Sequence, residues 1–463
     1  MFGITDYTPY VPRCRLRRDL IAEQWAAKSI GGRKAVANFD EDALTQAFEA
    51  AWSLIERDNK KEPVDALFFA STTSPHWQRA ASSFIAAACD LPDEIETVDF
   101  GGTLRAGTGA LRAALSAVAA GTSRKVIVTA ADVREGAPES VEEQFFSDAA
   151  AALTVGSKGV IAELIGQTSR SDDFLDEWRR DRDRYVTVLS SRYSTERGYL
   201  ANVAAAGQRL LQMADLKAEN VALLALSSPD GRAHVRAAQK LGFAPEQLVE
   251  VPIKEEGLTG TSMPLILLCR ALDAVQPGAL IMAIGHGDGA DAFLFRVTER
   301  THKHETRAAD GLTLEIPSYT IYRKFRDFTR SGPEEGAVIS NVMFEKEESQ
   351  NVRLHATRCA KCETVQFPLA VVCVKCRNRS DLEEVSLSRR GSIFTFTIDY
   401  LYRAPNPPTV VAVVELEDGA RFYCQVTDVD PERVKIGQSV ELTLRRLSDG
   451  GGMHHYYWKC RPV

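Results

Sequence analysis

Cys359, Cys362, Cys373 and Cys376 carry the strongest local chemical signal in this sequence of 463 residues. The stretch "RCAKCETVQFPLAVVCVKCRN" holds two CxxC pairs with ten residues between them. Each CxxC turn aims two thiolates at one point. Two such turns, closed by a short hairpin, complete a tetrahedral four-thiolate site that leaves no position for water. This is the pattern of structural zinc, whose binding supplies about 10–16 kcal/mol of folding free energy to a module too small to fold alone. A redox dithiol or an iron site would use the same spacing. The remaining five cysteines, Cys14, Cys89, Cys269, Cys424 and Cys460, are scattered, which is not a disulfide framework in so long a chain.

A second stretch raises a different question. "VDFGGTLRAGTGAL" reads as a buried strand, a Gly-rich turn and a helix, the place where many enzymes carry a nucleophile, yet the turn offers Leu104, a branched hydrocarbon that attacks nothing.

The elements that must position these residues fall into two kinds. Over the first 300 residues, Ala-rich helical stretches ("DEDALTQAFEAAWSLIERD", "TGALRAALSAVAAG", "GYLANVAAAGQRLLQMA") alternate with short apolar runs ("VDALFFAS", "KVIVTAAD", "AAALTVG", "VALLALSS", "GALIMAIG"). That order predicts an α/β fold with layered sheets, recurring in two halves, 1–165 and 166–300. Residues 301–350, with "THKHETRAADG" and "SGPEEG", read as a linker or docking segment, and 351–380 as the zinc ribbon. From 381 to 463, "GSIFTFTIDYLY", "TVVAVVELEDGARFYCQVT", "SVELTLRRL" and "HHYYWKCRPV" are strand-like runs broken by Gly-rich turns, the pattern of a small OB-like barrel. "HHYYW" is either a closing strand with alternate faces buried or an aromatic stacking platform for nucleic acid. The net charge of −7 and the pI near 5.8 disfavour nucleic acid and anionic membranes as partners. The longest apolar runs fall far short of a membrane span, and no charged-then-apolar leader opens the chain, so a cytoplasmic location is expected. No GxxxxGK[ST] loop is present, which disfavours nucleotide hydrolysis.

Several ordered motifs carry a resemblance: "VDFGGTLRAGTGAL", "VTAADVREGAPESVEEQFFSDAAAALTVG", "DEWRRDRDRYVTVLSSRYSTERGYLANV", "LSSPDGRAHVRAAQKLGF" and "GLTGTSMPLILLCRALDAVQPGALIMAIGHGDGADAF". Together they resemble the thiolase superfamily, most of all its 3-hydroxy-3-methylglutaryl-CoA synthase branch. The C-terminal block resembles the acyl-CoA-associated zinc-ribbon/OB-fold partner of such enzymes, fused here on one chain. The resemblance implies a duplicated α-β-α-β-α core, a homodimer, and a coenzyme A thioester as substrate. It also implies that the family's acyl-accepting Cys corresponds to Leu104, its His to Ser227, the Asn after it to Asp230, its Glu to Thr72, and the Asn before a Thr-Gly turn to Leu258.

A thiolate activated by a base is what covalent acyl transfer requires, and Leu104 cannot supply it. Cys89, flanked by apolar residues, reads as core packing. The loop "GHGDGADAF" borders the reacting group in thiolase-like folds and presents His286 as a general base with Asp288 or Asp291 to orient it. The same loop also reads as plain turn chemistry, with Gly285, Gly287 and Gly289 at positive φ. Tyr193 and Tyr199 line the acyl pocket or pack structurally, and His76 lies near the inferred Glu position. These readings lead to a carbon–carbon lyase that cleaves a 3-hydroxyacyl-CoA without an acyl-enzyme, using His286, Asp288, Tyr193 and Ser227. The alternatives are a hydroxymethylglutaryl-CoA synthase-like condensing enzyme or acyltransferase, and a noncatalytic acyl-CoA-binding subunit.

Overall fold

Helices with one apolar stripe and strands with β-branched faces bury those surfaces by stacking in layers. The computed structural model describes residues 1–58, 62–189, 191–298, 312–326, 340–402, 404–450 and 452–463. Two compact units result, one formed by Met1–Val36, Asp42–Ala86 and Asp93–Gly311, the other by Ala37–Glu41, Ala87–Pro92 and Leu312–Val463.

In the first unit nine strands run in the order Leu223–Leu226, Leu280–His286, Gly289–Val297, Ala162–Ser171, Gly3–Tyr10, Asp148–Gly156, Lys125–Val133, Ala66–Ala70 and Glu96–Phe100. Two halves of this sheet meet where Gly3 and Ile4 pair with Glu163 and Ala162. Each half has parallel strands outermost and antiparallel strands inside. Helix Met263–Ala274 packs on strands of both halves and against helix Ala106–Ala120. Burial agrees with that central place: Met263 through Cys269 are all buried, as a helix covered on every side requires. Helix Ala43–Arg57 covers the outside of one half, and Leu200–Met213 with Gly231–Leu241 the outside of the other. The outer helix Gly231–Leu241 buries only Ala233, His234, Ala237, Ala238 and Leu241, a single stripe. The expected α-β-α-β-α layering is therefore present.

The second unit has two parts. A small sheet places His355–Cys359 between Val365–Gln366 and Leu382–Ser386. A closed five-stranded barrel follows, in the order Arg390–Asp399, Thr409–Leu416, Arg421–Val426, Met453–Pro462 and Ser439–Gly450. Alternation decides its core: Val410, Ala412, Val414 and Leu416 point inward from one strand, Phe422, Cys424 and Val426 from the next. The run "HHYYW" lies in the closing strand with His455, Tyr456 and Trp458 buried, so it is no stacking platform. Part of the stretch read as a linker, 301–311 and 327–339, lies outside the described residues; between and after these are short helices, Tyr319–Phe325 and Asn341–Lys346.

Candidate active site

Strand ends and helix N-termini of the first unit converge on a cavity of about 560 Å³. One wall is the turn after strand Ala66–Ala70, and a buried carboxylate shapes it. Asp132 accepts from Ser71 Oγ (3.0 Å), Thr72 N (2.7 Å), Thr72 Oγ1 (3.0 Å), Thr73 Oγ1 (3.2 Å) and Thr261 N (2.8 Å). A carboxylate so supplied with donors fixes a loop that small hydroxyl residues alone would leave mobile. Gly260 makes the approach possible, because at its φ of +66° a Cβ would run into Asp132 Oδ2 and the Arg134 side chain. Gly260→Ala is therefore expected to cost about 1–3 kcal/mol, read as a lowered thermal unfolding midpoint.

The second wall is the turn before helix Ala106–Ala120, which presents Leu104, half-buried, to the cavity. Leu258, Phe145, Phe146, Met263 and Val141 extend this apolar side. The third wall is the end of strand Leu280–His286. Ser227 Oγ accepts from the His286 backbone N–H at 3.1 Å, and Tyr199 OH donates to the Ser227 carbonyl at 3.0 Å. The Tyr199 ring meets the His286 ring edge-on at 5.2 Å. Burial, reinforced by the charge of Arg105 and opposed by Asp172, lowers the His286 pKa to about 4, so its imidazole is neutral at physiological pH. Among the glycines of this loop, Gly287 and Gly289 have positive φ, whereas Gly285 has no such φ and is small because Thr108 packs against it.

A hairpin of Glu177–Trp178 and Thr187–Val188 forms the fourth wall and brings residues that the sequence reading missed. Asp176 Oδ2 lies 3.7 Å from His286 Nε2. Its carboxyl is pushed up to about 6, first by burial and then by the charges of Glu177 and Asp288. Glu177 is paired with Arg134, whose guanidinium also lies over the Phe146 ring at 3.7 Å.

His286, Ser227 and Asp288 thus line one cavity together with Leu104, Thr72, His76, Tyr199, Asp230 and Leu258. Asp288 sits exposed at φ 43° in the turn, and the carboxylate that faces His286 Nε2 is Asp176. Asp230 caps helix Gly231–Leu241 by accepting from Arg232 N and Ala233 N. Asp291 accepts from Thr108, Ser169 and Arg112. Tyr193 is not among the cavity residues; it is 57% exposed and rests against Phe174 at 5.7 Å.

In the second unit the Sγ atoms of Cys359, Cys362, Cys373 and Cys376 all lie within 4.8 Å of one another. Two of the separations are 3.6 Å (Cys359 to Cys376) and 3.5 Å (Cys362 to Cys373). A tetrahedral ion with bonds of about 2.3 Å to sulfur needs sulfurs roughly 3.8 Å apart, so the four thiols fit a metal ion.

The hydroxymethylglutaryl-CoA synthase of Methanopyrus kandleri is 30% identical over 339 residues, covering 71% of this chain and 96% of that protein. The chain belongs to the hydroxymethylglutaryl-CoA synthase family. Solved structures share the fold of this family's thiolase-like core. The structure of MvaS in complex with 3-hydroxy-3-methylglutaryl coenzyme A superposes at a TM-score of 0.62 with 18% identity, over 73% of this chain and 94% of that one. The 3-oxoacyl-[acyl-carrier-protein] synthase III of Aquifex aeolicus does so at 0.56 with 20% identity, over 64% of this chain and 100% of that one. At the other end, residues 384–445 match the family described as ChsH2, C-terminal OB-fold domain, so this synthase-family chain carries an OB-fold in addition to its thiolase-like unit. Among the described residues, no helix is long and apolar enough to cross a membrane.

Proposed function

We propose that the chain forms carbon–carbon bonds on coenzyme A thioesters, as a condensing enzyme of the hydroxymethylglutaryl-CoA synthase type that does so without an acyl-enzyme. The observation that carries this is the cavity wall. Leu104 occupies the turn where the resemblance puts the acyl-accepting Cys, and no cysteine is among the described residues that line the cavity. The family relatives are synthases, and none of those described above is a lyase, so the condensing alternative replaces retro-aldol cleavage as the main reading. An aldol-type condensation needs a base for the α-proton, a donor for the enolate oxygen and a carbonyl acceptor; it needs no thiolate.

The lining also supports a substrate class. Glu135, Glu142, Asp176, Glu177, Asp230 and Asp288 outnumber the two lining arginines beside the apolar wall; Arg134 is paired with Glu177, and Arg179 donates to the Thr72 carbonyl at 2.8 Å. An acyl group ending in a carboxylate would be repelled, whereas an uncharged apolar one would bury against Leu104, Leu258, Phe145 and Met263. Zinc held by Cys359, Cys362, Cys373 and Cys376 would serve folding, since four thiolates leave no coordination position for substrate. The homodimer implied by the resemblance completes the proposal and is read from particle mass in solution.

The test is to incubate the protein with an acyl-CoA panel, neutral and ω-carboxylated, together with aldehydes and ketones. Intact-protein mass and small-molecule products are then recorded. The expected result is a longer 3-hydroxyacyl-CoA from the neutral thioesters, with no mass added to the protein. A stable acyl adduct would restore the covalent synthase route. Binding without either result would make the chain a noncatalytic acyl-CoA-binding subunit.

A further inference from the structure

We propose that Asp176 is the proton acceptor of this condensation and that the His286 imidazole is the hydrogen-bond donor to the enolate oxygen, an assignment that rests on the function proposed above. The geometry separates Asp176 from Asp230, Glu135, Glu177 and Asp288 of the same cavity. Asp230 is taken up as a helix cap, Glu135 pairs with Arg184, and Glu177 pairs with Arg134 while facing Asp132, Glu142 and Asp288. Asp288 is exposed in its turn. Asp176 instead lies inside, its side chain 20% exposed, with His286 Nε2 at 3.7 Å. That separation is too long for a hydrogen bond between them and leaves room for a substrate atom against both.

The protonation states fit the two roles. The charged or titratable groups acting on Asp176 are His286, Glu177 and Asp288, and its own backbone N–H and that of Glu177 partly oppose the upward shift. It is therefore mostly ionised at neutral pH and close to the range where a base is both charged and able to release its proton again. His286, acted on by Arg105 and Asp172, stays neutral and keeps one N–H to donate.

The step balances within the site. The Asp176 carboxylate takes the α-proton, and the C–H electron pair becomes the enolate, whose oxygen accepts from His286. The enolate carbon then bonds to the acceptor carbonyl carbon as that carbonyl's π pair moves onto oxygen, which recovers the proton from Asp176. The carboxylate is restored, and neither oxidant, water nor second co-reactant is consumed.

The experiment follows α-proton exchange of hexanoyl-CoA in D₂O by mass spectrometry, with no acceptor present, across pH 5 to 8. Wild-type exchange should rise with pH through an inflection near 6, the value to which Asp176 is raised, because the base works only as carboxylate. Asp176→Asn should slow exchange by about 10²–10⁴-fold and remove the inflection, with hexanoyl-CoA binding by calorimetry and the unfolding midpoint retained. His286→Gln, which keeps an N–H donor, should slow exchange and leave the inflection in place. An Asp176→Asn variant that exchanges at the wild-type rate, or keeps the inflection, overturns the assignment. If wild-type protein binds thioesters yet neither exchanges nor condenses any of them, the proposed function itself fails.

Discussion

Chelating the zinc proposed for the four-thiol cluster, or replacing Cys373 with Ser, is expected to unfold the small sheet of His355–Cys359, Val365–Gln366 and Leu382–Ser386. Limited proteolysis then cuts within that region, while zinc content falls from one ion per chain to none. The size of the effect follows from how little else holds this sheet. It has three short strands, and the side chains it buries best are Ala356 and the ligand sulfurs themselves, Cys359 at 1% and Cys373 at 0% exposure. Thiols gathered within 4.8 Å would repel one another as thiolates if no cation lay between them. Coordination of four thiolates supplies about 10–16 kcal/mol, more than the whole stability of many domains. Unchanged protection of residues 355–386 in excess chelator would mean that the four thiols hold no metal.

The second large effect is expected at Arg445, fully buried in the other part of the same unit. Its guanidinium reaches Asp428 Oδ2 at 2.6 Å, Glu41 Oε1 at 2.8 Å and Asp40 Oδ1 at 3.5 Å, while Lys459 Nζ reaches Asp40 Oδ2 at 2.8 Å. These three carboxylates and both cations are buried, with side-chain exposures of 0–3%. Arg445→Met roughly keeps the volume and removes the cation that reaches Asp428, Glu41 and Asp40. Breaking a buried ion pair from one side costs about 3–5 kcal/mol, because the partner charge remains desolvated. The expected result is an unfolding free energy, from urea titration, lowered by that amount, with partial recovery in Arg445→Lys, which restores the charge but not the planar fork. An unfolding free energy within about 1 kcal/mol of wild type would show that water enters to solvate the acids.

Much of the layered unit was legible because period and composition agree there. "TGALRAALSAVAAG" becomes helix Ala106–Ala120, and "GALIMAIG" becomes a strand ending at His286. The thiol cluster was legible because CxxC spacing is itself a geometric statement. Asp176 was not. It lies in "DEWRRDRDRY", a charge-dense stretch that reads as solvated surface, and only a hairpin folding over the cavity brings one of its acids beside His286. Asp132 escaped notice for a related reason: its five donors come from residues 71–73 and 261, a convergence that no linear spacing records. Asp288, adjacent to His286 in sequence, does line the same cavity, but its turn at φ 43° leaves it exposed while Asp176 faces His286 Nε2.

A cavity wall of Leu104 and its apolar neighbours also changes where oxidative damage can fall. In an enzyme that depends on a thiolate, peroxide or an alkylating agent silences the chain at the very atom that does the chemistry. Here the half-buried thiols are Cys362 and Cys376 of the four-cysteine cluster, and among the described residues no cysteine lines the cavity. Thiol-directed reagents would therefore act on this chain at its four-cysteine cluster and not at the cavity wall.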